Sequence, residues 1–328
     1  MSALLPTMRG RVLSVLVGTA LLPALASADQ PPIPRIGVLM PQLENAPLQD
    51  GLPRGLHELG YSEGKNIIID WRGSSGTDEE MRSIATDLAR SKVDLIVAPG
   101  TAAARAAMKA TTTIPVVFIV GDAVAAGLAS SLARPGRNGT GLSVVGTELA
   151  PKRLELLHQA IPQARRIVYL MNSSNPMAPR LLEEARKGAR TLGVQLVTLD
   201  ARDQQGVNAA LETISRGAGD GLLLTADFLF LAEKAKIVRA VREARVPAMF
   251  PGKEYRGDGV LMSYGPNVME IFHRTAVYVD KILHGAKPAE LPIEQSSTYE
   301  LVIDLRAAHE QGINLPQELL LRADEVIR

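Results

Sequence analysis

The chain has 328 residues, 36 basic against 35 acidic, a formal net charge of +1 and 46% hydrophobic residues, with no cysteine. Lacking cysteine, it has no disulfide, no thiolate metal site and no cysteine nucleophile, so its stability has to come from a packed core. The charge balance, with no basic stripe to follow a phosphate backbone, argues against a nucleic-acid partner.

At the N-terminus, Arg9 and Arg11 precede an apolar run over 12–26 that ends in the small-residue triplet Ala26-Ser27-Ala28. That order predicts a secretory signal peptide over 1–28, cleaved near Ala28. The run is short of the roughly 20 apolar residues a membrane-spanning helix needs, and no cysteine is present to accept a lipid. The expected mature protein is therefore free in the periplasm. Its remaining length exceeds the size at which one core usually stops growing, which predicts two lobes.

From Arg35 onward, short β-branched runs alternate with amphipathic segments, the pattern of parallel strands joined by covering helices. A first series of strands is expected at 36–40, 66–71, 95–98, 116–119 and 141–144, and a second at 166–171, 195–198, 221–225, 248–250 and 260–263. Helices are expected at 78–90, 101–110, 152–160, 178–192, 205–216, 231–244 and 269–283. The stretch 291–305 reads as extended and the tail 316–326 as helical. The turn-rich stretch 133–141 is expected to carry the first crossing between lobes, and Ser263-Tyr264-Gly265-Pro266 the second. The expected division is 33–142 with about 264–290 in one lobe, and 143–263 with about 291–328 in the other.

Motifs for chemistry are missing. Gly139-Thr140-Gly141 lacks the third glycine of a dinucleotide fingerprint and precedes a strand. There is no phosphate-binding Gly-Lys-Ser/Thr loop, and the string from Gly141 to Gly146 is one residue too long for a nucleophile elbow. His57, His158, His273, His284 and His309 stand singly. No catalytic residue, metal site or cofactor is expected.

Polar residues instead follow several strands, where open α/β sheets bind ligands. Gly100-Thr101 opens a helix, so the Thr101 hydroxyl either caps it alone or does so while backbone N–H groups hold a ligand carboxylate. Asp122 and Asp227 each receive a ligand ammonium or serve local structure, Asp122 as an Asx turn and Asp227 as a helix cap. Asn172-Ser173-Ser174-Asn175 is dense in hydrogen-bonding groups. Phe228 packs either a ligand or the core. Groups from both series facing each other across a cleft would form a small-molecule pocket.

Several segments resemble the periplasmic solute-binding proteins of ABC transporters, of the tryptophan/tyrosine type with the type I periplasmic-binding fold. The likeness lies in Arg35-Ile36-Gly37-Val38-Leu39, Gly55-Leu56-His57-Glu58-Leu59-Gly60-Tyr61, the stretch from Ser131 to Gly141, Leu261-Met262-Ser263-Tyr264-Gly265, the stretch from Tyr278 to Leu283, and Arg322-Ala323-Asp324-Glu325-Val326-Ile327. The resemblance implies two doubly wound α/β lobes joined by a multi-strand hinge, closing on a small molecule such as an amino acid or related organic acid. It implies an inner-membrane ABC permease as partner and a monomeric carrier. A ligand-sensing module for a membrane receptor is the alternative. By the same resemblance Gln42, Gly100, Thr101, Asp122, Asn172, Asn175, Asp227 and Tyr264 are the candidate ligand-binding residues.

Overall fold

The computed structural model describes residues 32–41, 46–74, 78–144, 149–256, 259–296 and 298–328. The expected signal peptide and candidate residue Gln42 lie outside the described residues.

The first series is β1 (Arg35–Met40), α1 (Ala46–Glu58), β2 (Ile68–Gly73), α2 (Asp78–Arg90), β3 (Leu95–Pro99), α3 (Thr101–Ala110), β4 (Val116–Val120) and β5 (Gly139–Ser143). The second is α4 (Leu149–Ala160), β6 (Arg166–Met171), α5 (Ala178–Leu192), β7 (Gln195–Asp200), α6 (Gln204–Ser215), β8 (Gly221–Leu224), α7 (Phe228–Ala232), α8 (Lys234–Glu243), β9 (Ala248–Phe250) and β10 (Met262–Gly265). The chain ends with α9 (Val268–Leu283), β11 (Glu294–Gln295), β12 (Glu300–Asp304), α10 (Leu305–Glu310), α11 (Gln317–Leu321) and β13 (Glu325–Ile327).

The central strands read as unbroken apolar runs, VVFIV in β4 for example, because helices cover both faces of each sheet. One sheet has the order β11-β5-β4-β3-β1-β2 and the other β13-β12-β10-β9-β8-β6-β7. Within each series the order is second, first, third, fourth, fifth, the doubly wound arrangement with a topological switch point between its first and third strands. Strands β1 to β5 pair in parallel, as do β6 to β10. The expected two-lobed α/β class is the fold observed.

Four details depart from expectation. The turn-rich stretch 133–141 stays within the first sheet and delivers the chain into β5, so the first passage between sheets follows β5. The stretch from 291 does not pass directly to the second lobe, because Glu294 and Gln295 first pair with Leu142 and Ser143 of β5. The tail is helical only over α11, after which β13 extends along β12. The expected helix over 231–244 is two helices, because Asp227 starts a short one ahead of Phe228 and the chain turns at Glu233.

Helix α1 is built against its own propensities, with Gly51, Pro53 and Gly55 inside it. Its stability comes from α9, which it crosses closely. A Cβ on Gly55 would lie 2.5 Å from the His273 carbonyl oxygen and one on Gly51 2.8 Å from Cβ of Phe272. The contact fastens α9, which follows the second-sheet strand β10, to the first lobe. In an exposed helix Gly→Ala gains up to ~1 kcal/mol. Here overpacking outweighs that gain, so Gly55→Ala is expected to destabilise the protein by about 2 kcal/mol in urea unfolding.

Candidate functional site

The C-terminal tips of both sheets enclose a cavity of about 200 Å³. The first lobe contributes Gly100, Thr101, Ile119, Gly121 and Asp122, and the second contributes Arg153, Tyr169, Asn175, Asp227 and Glu254. Apolar walls come from Met177, Leu181, Phe228, Leu231, Ile271 and Phe272. The lobes touch around it. Met177 and Leu181 of the second lobe pack against the core beneath α2 and α3, and Phe228 packs against the core under α1 and α9.

Gly100 follows β3 at the first switch point with φ of +92°, a conformation suited to glycine, and a Cβ there would lie 3.1 Å from the Phe228 ring. Gly100 is also the N-cap of α3, and no side chain caps it. The expectation that Thr101 caps this helix is therefore corrected: Thr101 is the first helical residue, one position too late to serve. A ten-residue helix thus presents its N-terminal N–H groups to the cavity without a side-chain acceptor.

The second switch point carries Asn172, Asn175 and Asp227 as one hydrogen-bonded group. Asp227 accepts from Asn172 Nδ2 at 3.1 Å, from Asn175 Nδ2 at 2.9 Å and from the Leu229 N–H at 3.0 Å. Asp227 is both a helix cap and part of the cavity wall. Burial pushes its pKa up, against the lowering effect of those donors. Asn172 does not line the main cavity and orients Asp227 from behind.

Asp122 closes a turn through the Ala125 N–H at 2.9 Å, and its other oxygen meets Arg180 of α5 across the cleft at 3.4 Å. With Arg180 half exposed, that ion pair is worth under about 1 kcal/mol. Tyr264 does not line the cavity. It lies in β10, two residues before the chain leaves the strand for α9, and its ring packs against Tyr299 in the passage from β11 to β12, centroids 6.0 Å apart.

Sequence reasoning missed Arg153, Tyr169 and Glu254. Arg153 is 5% exposed; its Nε donates to the Tyr264 carbonyl at 2.6 Å and its Nη2 to the Pro251 carbonyl at 2.9 Å. The signal was available: Arg153 shares the three- and four-residue spacing of Leu149, Leu156, Leu157 and Ala160, a charge on the buried stripe of its helix. Burial lowers its pKa to about 10, which leaves it cationic at neutral pH. Gly265 makes this clamp possible, since a Cβ there would lie 1.7 Å from the Pro251 oxygen. Burial also raises the Glu254 carboxyl to about 7, although Arg153, Lys234 and Lys253 favour its charged form. Among the described residues, no group of three or more His, Asp or Glu side chains is placed to hold a metal ion.

The family model for ABC transporter substrate binding protein matches residues 41–327. The chain belongs to this family. It is the solute-binding component of an ABC transporter, and members of the family bind solutes outside the cytoplasm. It is 26% identical over 289 residues to the tyrosine-binding protein of Clostridioides difficile strain R20291, covering 87% of this chain and 82% of that one. A solved domain from Streptococcus pneumonia in complex with L-Trp is 26% identical and covers 90% of this chain and 99% of its own, with a TM-score of 0.80. The ligand-free, open structure of CD0873 from Clostridium difficile has the same identity and coverage but a TM-score of 0.60.

Glu254 makes stability depend on pH. Its carboxyl binds a proton up to about 7 when folded and to about 4.5 when unfolded, so the folded state holds more protons in between. That contribution is present below 4.5 and is lost as pH rises through 7. Between those limits the wild type is expected to lose about 3 kcal/mol relative to Glu254→Gln, read from urea unfolding of both proteins across the range.

Proposed function

We propose that this solute-binding component carries an α-amino acid with an apolar, aromatic side chain in the periplasm, as a free monomer that hands its cargo to an inner-membrane permease. The observation that carries the reading is the pairing, at the two switch points, of an uncapped helix N-terminus with a half-buried carboxylate. The first suits a carboxylate, through N–H groups and helix dipole. The second suits an ammonium. Asp227 uses three of about four lone-pair directions on its protein donors, leaving one for a ligand.

In this reading Gly100 and Thr101 take the ligand carboxylate, Asp227 and Asn175 the ammonium side, and Asn172 fixes Asp227. Asp122 adds negative charge from the first lobe and latches closure through Arg180. Tyr264 acts at the hinge, and Gln42 is proposed on position alone. Apolar walls fit an amphipathic cargo, and relatives that bind tyrosine or L-Trp support its class. The cysteine-free leader supports release without a lipid anchor. Closure follows from binding because only a solute touching both lobes favours the closed state.

The test is a thermal-shift series. L-Trp, L-Tyr and L-Phe are expected to stabilise the protein, by about 2.7 kcal/mol for any that is present at a hundredfold excess over its Kd. Tryptamine, without the carboxylate, and indole-3-propionate, without the ammonium, are expected to give no shift at the same concentration. Asp227→Ala is expected to fold, by circular dichroism, while losing at least about tenfold in affinity. Equal shifts from the single-charge analogues would sink the head-group assignment.

A further inference from the structure

The cavity between the sheet tips has a smaller neighbour. This second cavity, of about 70 Å³, is lined by Pro41, Met81 and Ala102 from the first lobe and by Asn172, Ser174 and Arg202 from the second. Gly100, Asn175, Asp227 and Phe228 line both cavities and so form the wall between them. The two lobes meet in that wall. Phe228 opens α7 in the second lobe, directly after Asp227, and packs against the core of the first. Its ring meets Gly100, where a Cβ would lie 3.1 Å from Cε2 and 3.2 Å from Cδ2, and Pro41 closes in at 3.5 Å from the same point.

The sheet order tells which end of a solute this wall stops. In the first sheet β4 and β5 lie on one side of β3, and β1 and β2 on the other. The larger cavity takes its first-lobe lining from the tip of β4 and from Ile271 and Phe272 of α9, whereas the smaller takes Pro41 after β1 and Met81 of α2. A solute held at Gly100 and Asp227, with its apolar side chain among Ile271 and Phe272, therefore turns its backbone toward the smaller cavity. Thr101 lines the larger cavity and Ala102 the smaller, so the first turn of α3 runs past the wall. A group joined to the solute's carboxylate would follow that turn, and Phe228 stands in its way. Beyond the ring is a cation, Arg202, whose Nε donates to Ser173 Oγ at 2.7 Å and to Asp200 at 2.9 Å.

We infer that Phe228 is a specificity-determining residue that ends the larger cavity at the solute's carboxylate and confines the cargo to single amino acids, and that the smaller cavity behind it is a latent subsite for a residue joined through a peptide bond. The inference rests on the head-group placement proposed above. Truncating a large aromatic side chain leaves space that its surroundings only partly refill, so loss of the ring joins the two cavities. A dipeptide with glycine second then sets its peptide carbonyl where the free carboxylate sat. Its own terminal carboxylate falls in the smaller cavity beside Ala102 and Arg202, and at about 70 Å³ that cavity suits the smallest residue.

Calorimetric titration tests this with L-Trp, L-Tyr, L-Trp-Gly, L-Tyr-Gly and L-tryptophanamide against the wild type, Phe228→Ala and Phe228→Leu, each protein first checked for a cooperative melt. The wild type is expected to bind the dipeptides at least about 100-fold more weakly than the free amino acids, the scale on which a pocket rejects a group it has no room for. In both variants that gap is expected to narrow to about tenfold. The amide loses the same charge as the dipeptide without its length, so it is expected to bind weakly to all three proteins and to gain nothing from removal of the ring. Dipeptides bound by the wild type as tightly as the free amino acids, a gap unchanged in every variant that folds, or an equal gain for the amide would overturn the inference while leaving the head-group reading in place. If the wild type binds neither free amino acid, the head-group reading falls, and this one with it.

Discussion

The buried guanidinium of Arg153 is the constraint that ties α4 to the ends of β9 and β10 in the second lobe, just where the chain leaves for the first. It lies on α4, the first helix after the chain leaves β5, and it holds the carbonyl of Pro251 at the tip of β9 and that of Tyr264 near the end of β10. Tyr299, in the third passage, packs on the Tyr264 ring. A cation with no water around it is tolerable only where carbonyls or carboxylates surround it, so these segments are fixed relative to one another. Gly265 follows from the same requirement, since any side chain there would strike the Pro251 carbonyl.

With the hinge held, closure becomes a matter of weak contacts at the open edge of the cleft. The Asp122 and Arg180 pair is exposed to solvent, and the Phe228 ring lies over Gly100 in a contact that a solute between the lobes would extend. Neither contact is strong enough alone to fix the lobes closed, which suits a protein that must open to load and unload. The strong interactions sit at the hinge and within each lobe. Asp304 illustrates the latter: buried in the second lobe, it accepts from the N–H groups of Arg306 and Ala307 and from the Arg306 side chain, and these donors hold its pKa low.

Much of the cavity lining was legible because strand ends in doubly wound sheets are where ligands gather, and Gly100, Thr101, Asp122, Asn175 and Asp227, singled out by that rule, all line the cavity. Their partnerships were not legible. Asp227 and the two asparagines lie more than 50 residues apart and meet only because β8 pairs beside β6. Thr101 was misread as a cap because hydroxyls favour that position, whereas the backbone at Gly100 had already turned to a positive φ. Arg153 announced itself by interrupting an apolar stripe, but what it would be buried against depended on β9 and β10 arriving from about a hundred residues downstream.

By itself the sequence determined the alternation of strand and helix, the two lobes and the polar residues at the strand tips, because each of these is set by local spacing and by the period of apolar residues. Tertiary structure alone decided which segments of the C-terminal region join which sheet. Glu294 and Gln295 have no intrinsic preference for the first lobe, and they lie there because β5 offers an open edge beside them. It also decided what lies beside Arg153. Tyr169 and Glu254 each look ordinary in sequence, and they join Arg153 in the lining of one cavity only once the second sheet and α4 have packed together.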